Sequence, residues 1–374
     1  MKPQGQHGML PRPNHDEAVR EACVASMRRY FTTELIGGNR ELYQTKLAPK
    51  FKAEHGRLPE TAAEVRRLME DSFYYRASSL IGRATQELLW DTVGEGIERQ
   101  LDDLIEKARP KPGELGTLTL DPDMKMPKYI EDVDIHVMPG NFHTELCEDD
   151  VLAGALYDRG AYIFAYGSRG QYNEQLGVLI AGMLKRKFPD FRPRRILEIG
   201  CSMGTSTVAL KDAFPDAEMY AIDVSAPMVR YAHARAESLG RAIHFSQRDG
   251  VDTKFPDGYF DLVLSILVNH EQPLSVVQAQ FKESYRILAP GGIMLTDGRL
   301  KDNAPPAASD PFQEFMGQWF NRNNNEPFGK GIDIERDFMA AGFALEDMFS
   351  DTPEGDTYLK GHVSAHSYAG AIKR

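Results

Sequence analysis

Between Arg195 and Thr296 the chain alternates short apolar runs with longer amphipathic ones, and this alternation limits the fold more than any other feature of the sequence. Arg195–Ile199 (RILEI), Met219–Ile222, Ala242–Ser246, Phe260–Leu267 and Gly292–Thr296 read as strands, and Thr205–Phe214, Pro227–Leu239 and Ser275–Ile287 read as helices. Parallel neighbours in a sheet need long, usually helical crossovers, so strand and helix in alternation predict an α/β domain with a doubly wound, mostly parallel sheet. The tail adds the end of a helix at Phe338–Ala341 and strand-like runs at Ala344–Phe349 and Val363–Ile372.

The rest of the chain reads differently. At about 150 residues per domain, 374 residues predict two domains, and the α/β pattern needs only residues 151–374. After Asn14 and Asp16 as cap residues, Val19, Cys23, Met27, Tyr30 and Phe31 recur at helical spacing, and Gly37-Gly38 is expected to end that helix. A second helical stretch opens near Pro59-Glu60-Thr61 and runs to Leu104, with Gly94 and Gly96 as points of bending. Five prolines between Pro110 and Pro139 mark a loop-rich connector. Residues 1–150 are therefore expected to be a mainly helical N-terminal domain plus connector, forming a substrate cap or an oligomer interface.

Chemistry concentrates after the first strand of the α/β part. Glu198-Ile199-Gly200-Cys201-Ser202-Met203-Gly204 places glycines where a strand ends and a helix begins, and there a backbone can approach a ligand under the helix's free N–H groups. Asp223 ends the second strand and can accept hydrogen bonds from both hydroxyls of a ribose; a helix N-cap role for Asp223 or Ser225 is compatible with this. Asp249, in Gln247-Arg248-Asp249-Gly250, follows the third strand, where it either faces an adenine amino group or simply forms a turn.

Taken in order, ILEIGCSMG, AIDVSAPM, QRDG, FPDGYFDLVLS and RILAPGG resemble a class I S-adenosylmethionine-dependent methyltransferase of Rossmann-like fold, over about Arg194–Asp297. The resemblance implies S-adenosyl-L-methionine as cofactor, with Glu198, Gly200 and Gly204 around its methionine end, Asp223 on the ribose and Asp249 with Gly250 along the adenine. Cys201, Ser202, Val224 and Met228, interleaved in the same motifs, join this cofactor-binding set. Ser202 stands where such families usually have glycine. In resembling enzymes the stretch before the first strand closes over the cofactor, so Tyr162 and Arg169 are expected contacts, with Tyr157, Tyr166 and Tyr172 as further candidates or core residues. The stretch after the fourth strand borders the reacting groups, which makes His270, between Asn269 and Glu271, the candidate catalytic base. A nicotinamide dehydrogenase, the rival reading of the glycine turn, gives no place to FPDGYFDLV or LAPGG.

Composition narrows the acceptor. Lys and Arg total 44 against 55 Asp and Glu, and a formal charge of -11 repels a phosphate backbone. Ser265–Asn269 reads SILVN, without the Asp/Asn-Pro-Pro-Tyr signature of methyltransferases acting on base amino groups. The expected acceptor is thus a small molecule methylated on oxygen or carbon, with no nucleic-acid or membrane partner and a homodimer through the N-terminal helices left open. No run approaches the roughly 20 apolar residues of a membrane span, and the opening residues lack a signal peptide's apolar segment, so a cytoplasmic location is expected. Cys23, Cys147 and Cys201 are too scattered for a disulfide framework. His136, His143, Glu145 and Cys147 match no familiar metal spacing, and no metal is expected; His362 and His366 read as strand surface. A non-catalytic cofactor-binding or partner-binding module on the same fold, and aminopropyl transfer from the decarboxylated cofactor, are the alternatives.

Overall fold

The computed structural model describes residues 3–300, 310–352 and 367–374. His362, His366 and the start of the strand expected from Val363 lie outside the described residues. Eight strands are found among the described ones: β1 (Thr117–Thr119), β2 (Arg195–Ile199), β3 (Glu218–Asp223), β4 (His244–Gln247), β5 (Phe260–Ser265), β6 (Leu288–Asp297), β7 (Met348–Asp351) and β8 (Tyr368–Ile372). They form one sheet in the order β1-β4-β3-β2-β5-β6-β8-β7. All pairs from β1 to β6 are parallel, and β8 is antiparallel to both β6 and β7. The expected Rossmann-like, doubly wound α/β sheet with a helical N-terminal part is what the chain forms.

Burial explains the strands. Leu197, Ile196, Leu262, Val263, Leu264, Met294 and Leu295 are all fully inaccessible, because helices cover both faces, as parallel sheets require. Helices Gln175–Lys187, Thr205–Ala213 and Ala226–Ser238 bury Ile180, Leu184, Leu210 and Val229 on one face. On the other, Leu274–Ile287 and Ile334–Ala341 bury Val277, Phe281, Ile287 and Phe338.

The N-terminal part departs from expectation at three places. Gly37-Gly38 does not stop the first helix: His15–Tyr30 continues through a π-helical turn at Phe31–Leu35, an α-helix at Ile36–Leu42, a second π-helical turn at Tyr43–Leu47 and a helix at Ala48–His55. Gly38 is there for clearance, since a Cβ at that position would lie 2.0 Å from the Tyr74 hydroxyl. The helix closes instead at Gly56, which takes the left-handed conformation (φ +72°) that glycine adopts without strain. The proline-rich connector is also more ordered than a loop. Its residues 117–119 are β1, paired with β4, and Lys128–Glu131 is a short helix. Gly94 and Gly96 leave the helix Phe73–Glu98 uninterrupted.

The halves interlock. The helix Pro311–Asn323, late in the chain, packs Phe312, Phe315 and Trp319 against Phe31, Tyr43, Val65 and Met69. Near the N-terminus, Gln4 and His7 reach the fully buried Asp158 of helix Leu152–Phe164. Asp158 also receives Arg235 Nε at 3.2 Å and the Tyr231 hydroxyl at 3.0 Å. Burial alone would raise its pKa, but Arg235, His7 and Tyr231 hold the carboxyl well below the usual carboxylate range. Removing one partner of such a buried cluster leaves the others desolvated and unpaired. Asp158→Ala is therefore expected to cost about 3–5 kcal/mol of unfolding free energy, read by urea denaturation; a change below 1 kcal/mol would show that the cluster does not hold the halves together.

Candidate functional site

Strands β3 and β4 lie on one side of β2 and β5 and β6 on the other, so a crevice opens at the carboxyl end of β2, where the order of addition reverses. A cleft of about 1150 Å³, including solvent at its mouth, occupies this place. Gly200 takes φ +71°, and a Cβ there would come within 2.6 Å of Val268 Cγ2. Gly204 opens the helix Thr205–Ala213, with Phe245 and Ala232 against it. Ser202 occupies the left-handed region at φ +50°, a conformation that strains any residue with a Cβ. Its hydroxyl donates to Met203 Sδ at 3.2 Å, and its N–H donates to Asp223 Oδ2 at 3.0 Å. The loop thus keeps the shape of a glycine turn, with the extra side chain folded onto methionine sulfur.

Asp223 is the electrostatic centre of the crevice. Its carboxylate accepts from the N–H groups of Ser202 and Ser225, and burial, only partly offset by these bonds, pushes its pKa up to about 6. The N-cap of the following helix is Ser225, whose hydroxyl oxygen accepts from Met228 N, which leaves Asp223 for other work. Glu198 sits below the turn and accepts from the Ser206 and Thr207 hydroxyls; its burial outweighs both bonds and raises it to about 7. Cys201 is buried, and its thiol is pushed up mainly by that burial. Asp249 takes the N–H of Val251 at 3.0 Å, and Gly250 leaves room for Ile199, whose Cγ2 would lie 2.6 Å from a Cβ.

The expected residues divide cleanly. Glu198, Gly200, Cys201, Ser202, Asp223, Val224, Met228, Asp249, Gly250 and Arg169 line the cleft. Gly204 does not line it and acts from behind as the helix start. Tyr162 does not reach it: the ring is 1% exposed in helix Leu152–Phe164, and its hydroxyl fills the space beside Gly167. Tyr157, one turn earlier and on a different face, is the tyrosine that lines the cleft. Tyr166 and Tyr172 lie outside the lining: the Tyr166 hydroxyl bonds Thr32, and the Tyr172 ring packs on Gly5. His270 is also absent from the wall, and its neighbour Glu271 takes that place.

Several wall residues were not anticipated. Tyr129, Ile130 and Ile135 come from the connector and Phe142 from just after it, and Leu176, Arg248, Val268 and Gln272 also line the wall. Burial pushes the Tyr129 phenol up. Beside them His136 lies between two carboxylates, with Nε2 3.0 Å from Glu271 Oε1 and Nδ1 2.9 Å from Glu326 Oε1. Burial works against charging this ring, yet the two carboxylates prevail and raise its pKa to about 9. Its backbone is left-handed (φ +56°) and its carbonyl accepts from Gln86 Nε2 and Trp90 Nε1. Asp-Val-Asp-Ile-His among prolines was the only trace of this element in the sequence.

Comparisons agree with this geometry. Residues 196–292 match the family described as a methyltransferase domain. The demethylmenaquinone methyltransferase of Thermus thermophilus is 34% identical over 105 residues, 27% of this chain and 44% of that protein. The fatty-acid O-methyltransferase of Mycolicibacterium smegmatis is 32% identical over 117 residues, 31% of this chain and 41% of that protein. The chain thus spans less than half the length of these curated relatives. A solved structure of Haemonchus contortus phosphoethanolamine N-methyltransferase 2 with S-adenosyl-L-methionine aligns with a TM-score of 0.39 at 19% identity, covering 56% of each chain, too distant to bear on chemistry. Among the described residues no helix is long and apolar enough to cross a membrane.

Two glycines separate strain from clearance. Gly200→Ala meets both a positive φ and Val268, whereas Gly240→Ala meets a positive φ (+72°) with nothing within 4 Å. We expect Gly240→Ala to cost about 1 kcal/mol and Gly200→Ala about 2–3 kcal/mol or more in chemical denaturation; equal costs would mean that the Val268 contact yields freely.

Proposed function

We propose that this chain, whose residues 196–292 are a class I S-adenosylmethionine-dependent methyltransferase domain, binds S-adenosyl-L-methionine and transfers its methyl group to a small-molecule acceptor. The observation that carries this reading is Asp223, a partly buried carboxylate at the end of β3 that accepts two backbone N–H groups and lines the cleft. Such a group suits a pair of ribose hydroxyls. Gly200 and Gly250 let the backbone at the cleft pack directly on Val268 and Ile199, with which a Cβ would collide. Asp249 and Gly250 suit the adenine, Glu198 and Ser202 the amino-acid end, and Arg169 its carboxylate.

The cofactor supplies a methyl group already activated on a sulfonium, so the protein's tasks are alignment and exclusion of water. Tyr129, Ile130, Ile135, Phe142 and Tyr157 offer an apolar and aromatic wall for the acceptor. Four of the five come from residues 1–150, three of them from the connector, in keeping with residues 1–150 shaping the acceptor site and residues 151–374 holding the cofactor. An oxygen or acidic-carbon acceptor must lose a proton, and the role first given to His270 passes to Glu271, whose side chain lines the cleft. Glu271→Gln is expected to lower turnover at least a hundredfold with cofactor affinity unchanged; equal turnover would remove Glu271 from proton transfer. Tight cofactor binding with no S-adenosylhomocysteine formed from any acceptor in a broad hydroxylated-metabolite screen would favour the non-catalytic module.

Asp223 also makes a pH prediction. Hydroxyl donors need the ionised carboxylate, so affinity for S-adenosylhomocysteine is expected to be flat above the pKa of about 6 and to fall as the pH drops below it. The fall approaches about tenfold per pH unit. Calorimetry between pH 5 and 8 reads this, with Asp223→Asn expected to bind at least tenfold more weakly and without that slope; wild-type affinity independent of pH would take Asp223 off the ribose.

Self-association is the remaining proposal. On helix Phe73–Glu98, Phe73 is 80% and Leu80 70% exposed, and Ile81 and Leu88 are exposed beside them at helical spacing. A second copy docking on this stripe would cover it. Sedimentation of wild type is expected to give a dimer and of Leu80→Glu a monomer; a monomeric wild type would refute it.

A further inference from the structure

Behind the acceptor wall, outside the cofactor crevice, three side chains from distant parts of the chain converge. One nitrogen of His136, one of His270 and a carboxylate oxygen of Glu326 lie within 4.8 Å of one another. His136 comes from the connector, His270 from the turn after β5, and Glu326 from the segment after helix Pro311–Asn323. From this geometry we infer that His136, His270 and Glu326 form a binding site for one divalent transition-metal ion.

The arrangement around the three is that of a supported metal site. Glu326 Oε1 lies 2.9 Å from Nδ1 of His136, so an ion bound between them would take the place of the Nδ1 proton, while Nε2 stays 3.0 Å from Glu271 Oε1. A carboxylate on the far nitrogen of a ligating histidine fixes its tautomer and strengthens it as a donor. Glu271 also lines the cleft, so the ion would sit one side chain behind the acceptor wall. Ligand atoms around a tetrahedral ion at about 2.1 Å are roughly 3.4 Å apart. Side-chain rotations of about 1 Å would therefore close these three onto one ion.

One helix holds the site in place. Gln86 and Trp90 of Phe73–Glu98 both donate to the His136 carbonyl and keep that residue left-handed at φ +56°. Arg83, one turn earlier on the same helix, donates to Asn323 O at 3.3 Å and Asn325 Oδ1 at 3.0 Å, next to Glu326. Gly329, whose Cβ would lie 3.1 Å from His270 Cα, lets the same segment pass close to His270. Strained backbone over-determined by its surroundings is what a preorganised site requires. Two imidazoles and one carboxylate suit borderline ions such as zinc, cobalt, iron(II) or manganese, whereas calcium and magnesium prefer oxygen.

The test uses the full chain stripped with a chelator and titrated with Co²⁺ alone. The expected result is saturation at one equivalent with visible ligand-field bands, displaced by Zn²⁺. His270→Ala and Glu326→Gln should each weaken binding at least tenfold while keeping wild-type affinity for S-adenosylhomocysteine, which reports an intact fold. His270→Cys should retain the ion and add an ultraviolet sulfur-to-cobalt charge-transfer band. No saturable band in wild type, variants that bind as wild type does, or no charge-transfer band in the cysteine variant would each overturn the site. Cofactor affinity is read separately: loss of S-adenosylhomocysteine binding with Co²⁺ binding intact would count against methyl transfer and leave the metal site standing.

Discussion

The reversal of strand order at β2 is the constraint from which the rest of the molecule follows. Adding β3 and β4 on one side and β5 and β6 on the other makes the helices after β2 and after β5 leave in opposite directions, and a gap opens between them. Backbone must turn sharply at the edge of that gap, so glycine at Gly200 and strain at Ser202 are consequences of topology before they are features of a site. The gap is also lined by strand ends, where carboxylates such as the buried Glu198 and the partly buried Asp223 can be held by backbone and hydroxyl donors without neutralising cations. Both carboxyls are raised for that reason, and both are poised to respond to a ligand with hydrogen-bond donors.

What lies beyond the gap is assembled from the other half of the chain. The wall residues Tyr129, Ile130, Ile135 and Phe142 come from a proline-rich stretch with little regular structure of its own. Much of its shape is imposed from outside, where Trp90 and Gln86 fix the His136 carbonyl and Ser225 donates to Phe142 O at 2.5 Å, and Asn141 ties the stretch to itself by donating to the carbonyls of Ile130 and Val133. Two better-formed regions hold the connector between them, and Asp158 with Arg235, Tyr231 and His7 ties the N-terminal segment to the α/β part.

How far a sequence discloses its structure depends on the range of the interactions involved. The sheet was legible because RILEI or FDLVLS is apolar for a local reason, burial on both faces, and the glycine turn because a sharp backbone turn selects its residues directly. Ser225 rather than Asp223 as the helix cap could have been read only as one of two equal options. The role of Gly38 inside a continuing helix was illegible because what asks for glycine there, the close approach of the Tyr74 hydroxyl, is a tertiary contact. Tyr162 was misplaced for a similar reason: four tyrosines in one aromatic stretch look alike until helix phase puts Tyr157 on the cleft and Tyr162 in the core. His136 stands out in the sequence beside His143, Glu145 and Cys147, but its actual partners, Glu271 and Glu326, were beyond reach, since they lie 135 and 190 positions away.

The outermost strand has a bearing on how copies of this chain meet. β1 is three residues long, and it covers the flank of β4. An unprotected parallel strand such as β4 would present a row of unpaired backbone groups, a template on which further strands could add, and a very short terminal strand is one of the ways proteins blunt that hazard. The segment that shapes the cleft's outer wall therefore also closes the sheet on that side. Deleting the first half of the chain to isolate the catalytic fold would remove this guard together with the wall, and the fragment's tendency to aggregate would follow from the bare edge of β4 before any loss of activity could be measured.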